Sequence, residues 1–139
     1  MTGPTVPAPG LTGPLPADPA ARRLGIEVRE VAPGRATAVV RVTEDMLRPH
    51  GTCHGGYVFL LADTAFGYAC NAHGPATVAA GADVEFIEPA YAGDELVAEA
   101  VEHPRRGRSG LYDVTVRRGD QVVAEFRGRS RTVRPPASA

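Results

Sequence analysis

Residues 54–75 read HGGYVFLLADTAFGYACNAHGP, and this stretch decides the fold. A pair of glycines opens it, Gly74-Pro75 closes it, and Phe59, Leu60, Leu61, Ala62, Ala65 and Phe66 crowd the run between. Proline cannot continue a helix and turns the residue before it away from helical geometry, so a helix over residues 57–72 is expected to stop there. With apolar side chains on nearly every face, such a helix belongs inside a domain and not on its surface. Asp63 interrupts it, and it is shorter than the roughly 18 to 20 apolar residues that a membrane span needs.

Working outward, Asp18 stands where a helix cap should, Pro19 suits a first helical position and Gly25 closes a short helix. Residues 26–31 and 35–42 follow as two strands turned by Pro33-Gly34, the second carrying Ala36, Ala38, Val40 and Val42 in period two. Residues 46–56 form a loop into the long helix. Beyond it, residues 77–87 alternate Val78, Ala80, Ala82, Val84 and Phe86, a one-sided pattern. Residues 95–102, 111–117 and 121–133 read as three more strands with short turns. Successive strands joined this way imply an antiparallel sheet. An α+β hotdog architecture, a curved antiparallel sheet wrapped around one long buried helix, buries that helix economically.

The chain has 139 residues, 43% of them hydrophobic, and a net charge of -1. This fits one domain, expected over residues 18–133, with a disordered arm over 1–17 and a flexible tail over 134–139. The near-neutral charge gives no field for nucleic acid or an anionic membrane, so neither is an expected partner. All 15 basic residues are arginine, and nine of them fall between Arg105 and Arg134. Two cysteines are too few for a disulfide framework. The N-terminal residues lack the basic and apolar regions of a signal peptide, so a soluble, cytoplasmic protein is expected.

Asp63 is the anomaly. A carboxylate in an apolar helix is costly unless a loop amide or an arginine compensates it, or unless burial tunes it as a base or nucleophile. The start of the same helix offers the complementary group: unpaired amides at Gly55 and Gly56 and the positive end of the dipole, suited to polarising a thioester carbonyl. Gly55 and Asp63 are roughly 12 Å apart along a helix axis, so one helix cannot bring both to one carbonyl. If both act, the site spans two antiparallel copies of the helix, and the active unit is at least a homodimer.

RPHGTCHGGYVFLLADTAFGYACN, residues 48–71, resembles the signature of the PaaI-type hotdog thioesterases, the phenylacetate-degradation thioesterases. Their pattern is Asn-x-x-Gly-x-x-His-Gly-Gly, several apolar residues, then Ala-Asp. DVEFIEPAYAGDELVAEA and AEFRGRSR downstream are similar to that family as well, and the resemblance covers roughly residues 18–133. It implies hydrolysis of an acyl-CoA, with (hydroxy)phenylacetyl and related aryl or short acyl groups favoured. It makes Asp63 the catalytic carboxylate, Gly55 the oxyanion-hole amide and His54 a support for the thioester end. Gly56, Thr64 and Arg108 complete the expected substrate contacts. No cofactor is implied, and the resemblance favours a tetramer of two dimers. The sequence departs from the pattern at Arg48, which stands where the family has Asn.

Other constellations are weaker. His50, Cys53 and His54 suggest a metal, but Cys70 and His73 lie about two dozen ångströms along the helix from its start, so no metal is expected. Cys53 lacks the base and electropositive setting of a nucleophile. Arg127, Arg129 and Arg131 share one strand face, with Arg105, Arg106 and Arg108 in the turn before; such a face is solvated unless it meets coenzyme A phosphates. Phe66, Tyr91 and Tyr112 fit an aryl pocket or ordinary core equally. A hotdog dehydratase would be expected to place a histidine at the helix beside Asp63. A non-catalytic acyl-CoA-binding module is the alternative from another class.

Overall fold

A computed structural model describes residues 17–105 and 107–133; the expected arm, apart from Ala17, and the expected tail lie outside the described residues. Helix α1 spans Pro19–Arg23, and its cap is the one expected: the Asp18 carboxylate accepts from the Ala21 amide at 3.1 Å. Strands β1 (Glu27–Ala32) and β2 (Arg35–Arg41) form the hairpin, and a 3-10 turn at Glu44–Met46 leads into the loop. Helix α2 runs Gly55–Asn71, two residues earlier at its start than the apolar run suggests. Strands β3 (Thr77–Phe86), β4 (Glu95–Glu102), β5 (Ser109–Arg118) and β6 (Gln121–Thr132) complete the chain order.

The six strands form one sheet in the order β1-β2-β4-β5-β6-β3, every neighbouring pair antiparallel. Helix α2 touches all six strands, as the hotdog architecture requires. Ala38, Ala98 and Ala100 on β2 and β4 are buried against it beside Leu61, Ala65 and Ala69. Small side chains on both surfaces let the helix sit close to the sheet. Phe66 then fills the space towards β5 and β6, edge-on to Tyr112 at 5.3 Å and tilted against Phe126 at 5.8 Å. Full burial of side chains such as Leu61 and Phe66 stabilises by about 1.5–3 kcal/mol each.

Both ends of α2 are fixed by polar ties. The His54 amide donates to the Met46 carbonyl and the Cys53 amide to that of Ala90, both at 2.8 Å. At the far end the Asn71 side-chain amide donates to the carbonyls of Gly67 at 2.9 Å and Thr77 at 3.0 Å, while its oxygen accepts from the Thr77 amide at 2.9 Å. One side chain thus clips the helix to the first residue of β3. Beyond it, His73 Nε2 lies 2.7 Å from the Glu102 carboxylate, which also accepts from the Tyr112 hydroxyl.

Two expectations need correction. The alternation in β3 gives it only a partly buried face: Ala82 and Val84 pack against the core, but Val78 is 52% and Phe86 54% exposed, and Ala80 is exposed too. Strand β3 is one edge of the sheet, paired among the described strands only with β6, and a register shift between Ala79 and Gly81 breaks its alternation. Nor is α2 enclosed on all sides. Leu60, Asp63, Gly67 and Asn71, spaced three or four apart on one face, are only partly buried.

Candidate active site

Asp63 sits on that open stripe at mid-helix, partly buried. No described arginine or histidine pairs with its carboxylate, and no described group hydrogen-bonds to it. The two bland fates of a helical carboxylate, loop cap and ion pair, are therefore both unmet among the described residues. Burial holds the Asp63 carboxyl above the usual aspartate range, and the nearby charge of Asp18 pushes it further the same way. A carboxylate without a counter-charge in a partly dry setting is a stronger base than one in water.

Asp63 opens onto a cleft of about 550 Å³ between the second half of α2 and the start of β3. Asp18, Thr64, Tyr68, Asn71 and Thr77 supply its polar lining, Gly67, Ala76 and Ala79 its small side chains. Thr64 is buried and its hydroxyl donates to the Leu60 carbonyl at 2.7 Å, so the hydrogen is committed to the helix. Cys70 reaches the same cleft, but burial pushes its thiol up to about 11, which keeps it protonated.

The helix start is a separate place. His54 caps α2 with no side-chain hydrogen bond, and no described residue accepts from the amides of Gly55 or Gly56. The Phe86 ring lies over Gly55: a Cβ built there would meet its Cζ at 2.9 Å. A side chain at this position therefore collides with a close neighbour, whereas its backbone angles, which carry no positive φ, would admit one. Thus Asp63 and Thr64 share the cleft, while His54, Gly55 and Gly56 cluster at the helix start. Arg108 is exposed in the turn between β4 and β5 and joins neither group; its carbonyl accepts from the Thr132 amide at 2.8 Å.

The remaining candidates resolve plainly. Phe66 and Tyr112 are core, whereas Tyr91 is exposed beneath the Arg118 guanidinium. Arg127 and Arg129 pair with Asp113 and Asp83, as a solvated strand face does. Burial raises the Cys53 thiol, which removes the thiolate that a nucleophile needs. Among the described residues no three His, Cys, Asp or Glu side chains converge as a metal set. The sequence reading missed three neighbours of the two places: Asp18, visible only as a cap, Asn71, and Phe86, counted as one apolar position in β3. Asp18 and Phe86 reach those places across long stretches of chain, which one sequence does not display, and Asn71 is placed by its side-chain ties to Gly67 and Thr77.

Residues 50–125 match the thioesterase superfamily. The chain belongs to that family. It is 42% identical over 117 residues to the acyl-coenzyme A thioesterase PaaI of Escherichia coli, covering 84% of each chain. The solved structure of E. coli PaaI, from the phenylacetic acid degradation operon, superposes with a TM-score of 0.82 at 41% identity, over 84% of this chain and 86% of that one. A variant of the phenylacetic acid degradation protein PaaI from Thermus thermophilus gives 0.81 at 38% identity, over 84% of this chain and all (100%) of that one. The hotdog fold and the thioesterase assignment rest on these likenesses together with the sheet and helix described above. Among the described residues of this thioesterase, no helix is long and apolar enough to cross a membrane.

Proposed function

We propose that this thioesterase hydrolyses acyl-CoA thioesters, (hydroxy)phenylacetyl-CoA or related aryl or short acyl-CoA, at a site shared by two copies of the chain. The observation that carries this reading is a partly buried carboxylate at Asp63 that has neither an ion-pair partner nor an oxyanion donor at hand among the described residues. Open donors do exist at Gly55 and Gly56, but roughly 12 Å away along the same helix. A second α2, antiparallel to the first, brings its Gly55 amide to the first copy's Asp63. Two further features support the pairing. The open stripe Leu60, Asp63, Gly67 and Asn71 needs a cover, and β3 presents an unpaired edge with exposed apolar side chains at Val78 and Phe86. A two-fold axis between two β3 edges covers both stripes at once and creates two sites.

In that site the thioester carbonyl oxygen accepts from the partner copy's helix start, beside His54 and Gly56. Asp63 then works in one of two ways. As general base it takes a proton from water while the water oxygen attacks the carbonyl carbon. As nucleophile it forms a mixed anhydride that water opens. In either route the carbon–sulfur bond breaks and coenzyme A leaves with a proton as the free thiol. Thr64 lines the wall beside the reacting carbon, and Arg108 serves a phosphate of the coenzyme.

The test is Asp63→Asn with phenylacetyl-CoA, thiol release followed by a chromogenic reagent. Turnover falls at least about a hundredfold while KM stays within a few-fold. Mixing this variant with a chain blocked at Gly55 restores part of the activity after subunit exchange, because one site of the heterodimer draws both intact halves. Light scattering reads two or four times the chain mass of 14.6 kDa. Near-normal turnover by folded Asp63→Asn, or a fully active monomer, refutes the reading.

A further inference from the structure

The cleft beside Asp63 holds a second carboxylate. Asp18 enters it from the cap of α1, while Asp63, Tyr68 and Cys70 enter it from α2. Between the start of β3 and the end of α2 the lining is Asn71, Gly74, Ala76, Thr77 and Ala79, none of which carries charge. Among the described residues, no arginine or histidine lines this cleft. One oxygen of Asp18 is fixed by the Ala21 amide at 3.1 Å, so its carboxylate is held in place by the cap and does not swing away. Asp18 is partly buried and lines the same cleft as Asp63 and Tyr68, close enough for its charge to raise both groups.

We infer that Asp18 is a specificity-determining residue: the cleft accepts acyl groups without charge and rejects acyl-CoAs whose acyl chain ends in a carboxylate. This rests on the reading of Asp63 as the reacting carboxylate, since the acyl carbon must lie beside it and the acyl chain then runs into the cleft. A third carboxylate placed among the two already there meets like charge on two sides in a partly desolvated space to which the described residues of the same chain bring no arginine or histidine. Exclusion by charge of this kind acts on the acyl end alone, because the pantetheine arm of every substrate is neutral. The capping role of Asp18 conceals the effect in the sequence, where it explains the residue completely.

The experiment compares adipoyl-CoA with its terminal monoamide, two substrates of the same length and shape that differ in one charge. In the wild type kcat/KM for the monoamide exceeds that for adipoyl-CoA at least about a hundredfold. Asp18→Asn keeps the cap, since asparagine caps a helix as well as aspartate does, and narrows that ratio at least tenfold; Asp18→Ser does the same and serves if the first variant fails to fold. A wild-type ratio below tenfold, or a ratio unmoved in a folded Asp18 variant, overturns the inference and leaves the thioesterase reading intact. Absence of turnover with the monoamide, hexanoyl-CoA and phenylacetyl-CoA alike overturns both.

Discussion

Substituting Gly55 by alanine places a methyl group 2.9 Å from Cζ of Phe86 and 3.2 Å from its Cε1. Carbon atoms rest at about 3.5–4.0 Å, so roughly 0.9 Å of separation must be found. The Phe86 ring, the helix start, or both must yield. An equal share moves the Gly55 amide by roughly half an ångström, and an unshared one moves it by the whole distance. An ångström of misplacement at a reacting centre costs about a hundredfold in rate, so with the helix start taking half or all of the shift the loss in kcat of Gly55→Ala is about ten- to a hundredfold. Gly55 has an ordinary negative φ and Phe86 is half exposed, so the melting temperature stays within a few degrees of wild type. The double variant Gly55→Ala/Phe86→Ala removes the collision and recovers most of the lost kcat. Steady-state kinetics with phenylacetyl-CoA at fixed protein concentration reads all three chains. A Gly55→Ala enzyme with wild-type kcat refutes the reasoning, as does a double variant no better than the single one.

Two other outcomes follow from the same structure. The acid-side midpoint of kcat/KM lies above the ordinary aspartate value of about 4, because burial and then Asp18 hold the Asp63 carboxyl up. Activity is lost as pH falls through it, and Asp18→Asn, by removing a like charge, moves the midpoint lower; a midpoint at or below 4 contradicts this. The raised value also means that ionised Asp63 opposes folding above that midpoint, so Asp63→Asn melts higher than wild type at neutral pH. Gly128→Ala drives a methyl to 2.9 Å from three atoms of the Phe66 ring, which Tyr112 and Phe126 hold from two sides. Overpacking of this kind costs about 1–3 kcal/mol. With an unfolding entropy of about 2.1 cal/mol/K per residue over 139 residues, the melting temperature falls by about 3–10 °C in a calorimetric scan. An unchanged value means that the core at Phe66 is looser than described.

Much of the fold was legible because hydrophobic period and turn chemistry are local. Asp18-Pro19 marks a helix start, Pro33-Gly34 a hairpin, and the apolar run ending at Gly74-Pro75 a buried helix, and each falls within a residue or two of its observed place. Strand β3 shows where local reading stops. Its alternation looks like a core face, yet whether a face is covered depends on which strands flank it, and sheet order is a long-range property. The same limit applies to the candidate site. The isolation of Asp63 in an apolar run could be seen, and so could the glycines at the helix start. That Asp18 lines the same cleft as Asp63, and that the Phe86 ring rests on Gly55, depends on the folding together of residues 45 and 31 positions apart. Arg108 marks another limit: an arginine cluster is easy to see in sequence, but which exposed side chain of the turn meets a phosphate is set by the bound substrate and not by local pattern.

The order of the sheet also bears on how the chain acquires its shape during synthesis. Strand β3 emerges from the ribosome early, yet its one strand partner, β6, is the last strand of the described residues. Until residues 121–132 are available, β3 has no ladder to join, and the wall it gives to the Asp63 cleft cannot form. Strands β1, β2, β4 and β5 meet one another without it. A nascent chain therefore assembles a four-strand half around α2 first and exposes β3 until the final strand arrives. A truncation between residues 118 and 121 removes one strand and orphans a second, so its damage extends well beyond the missing segment.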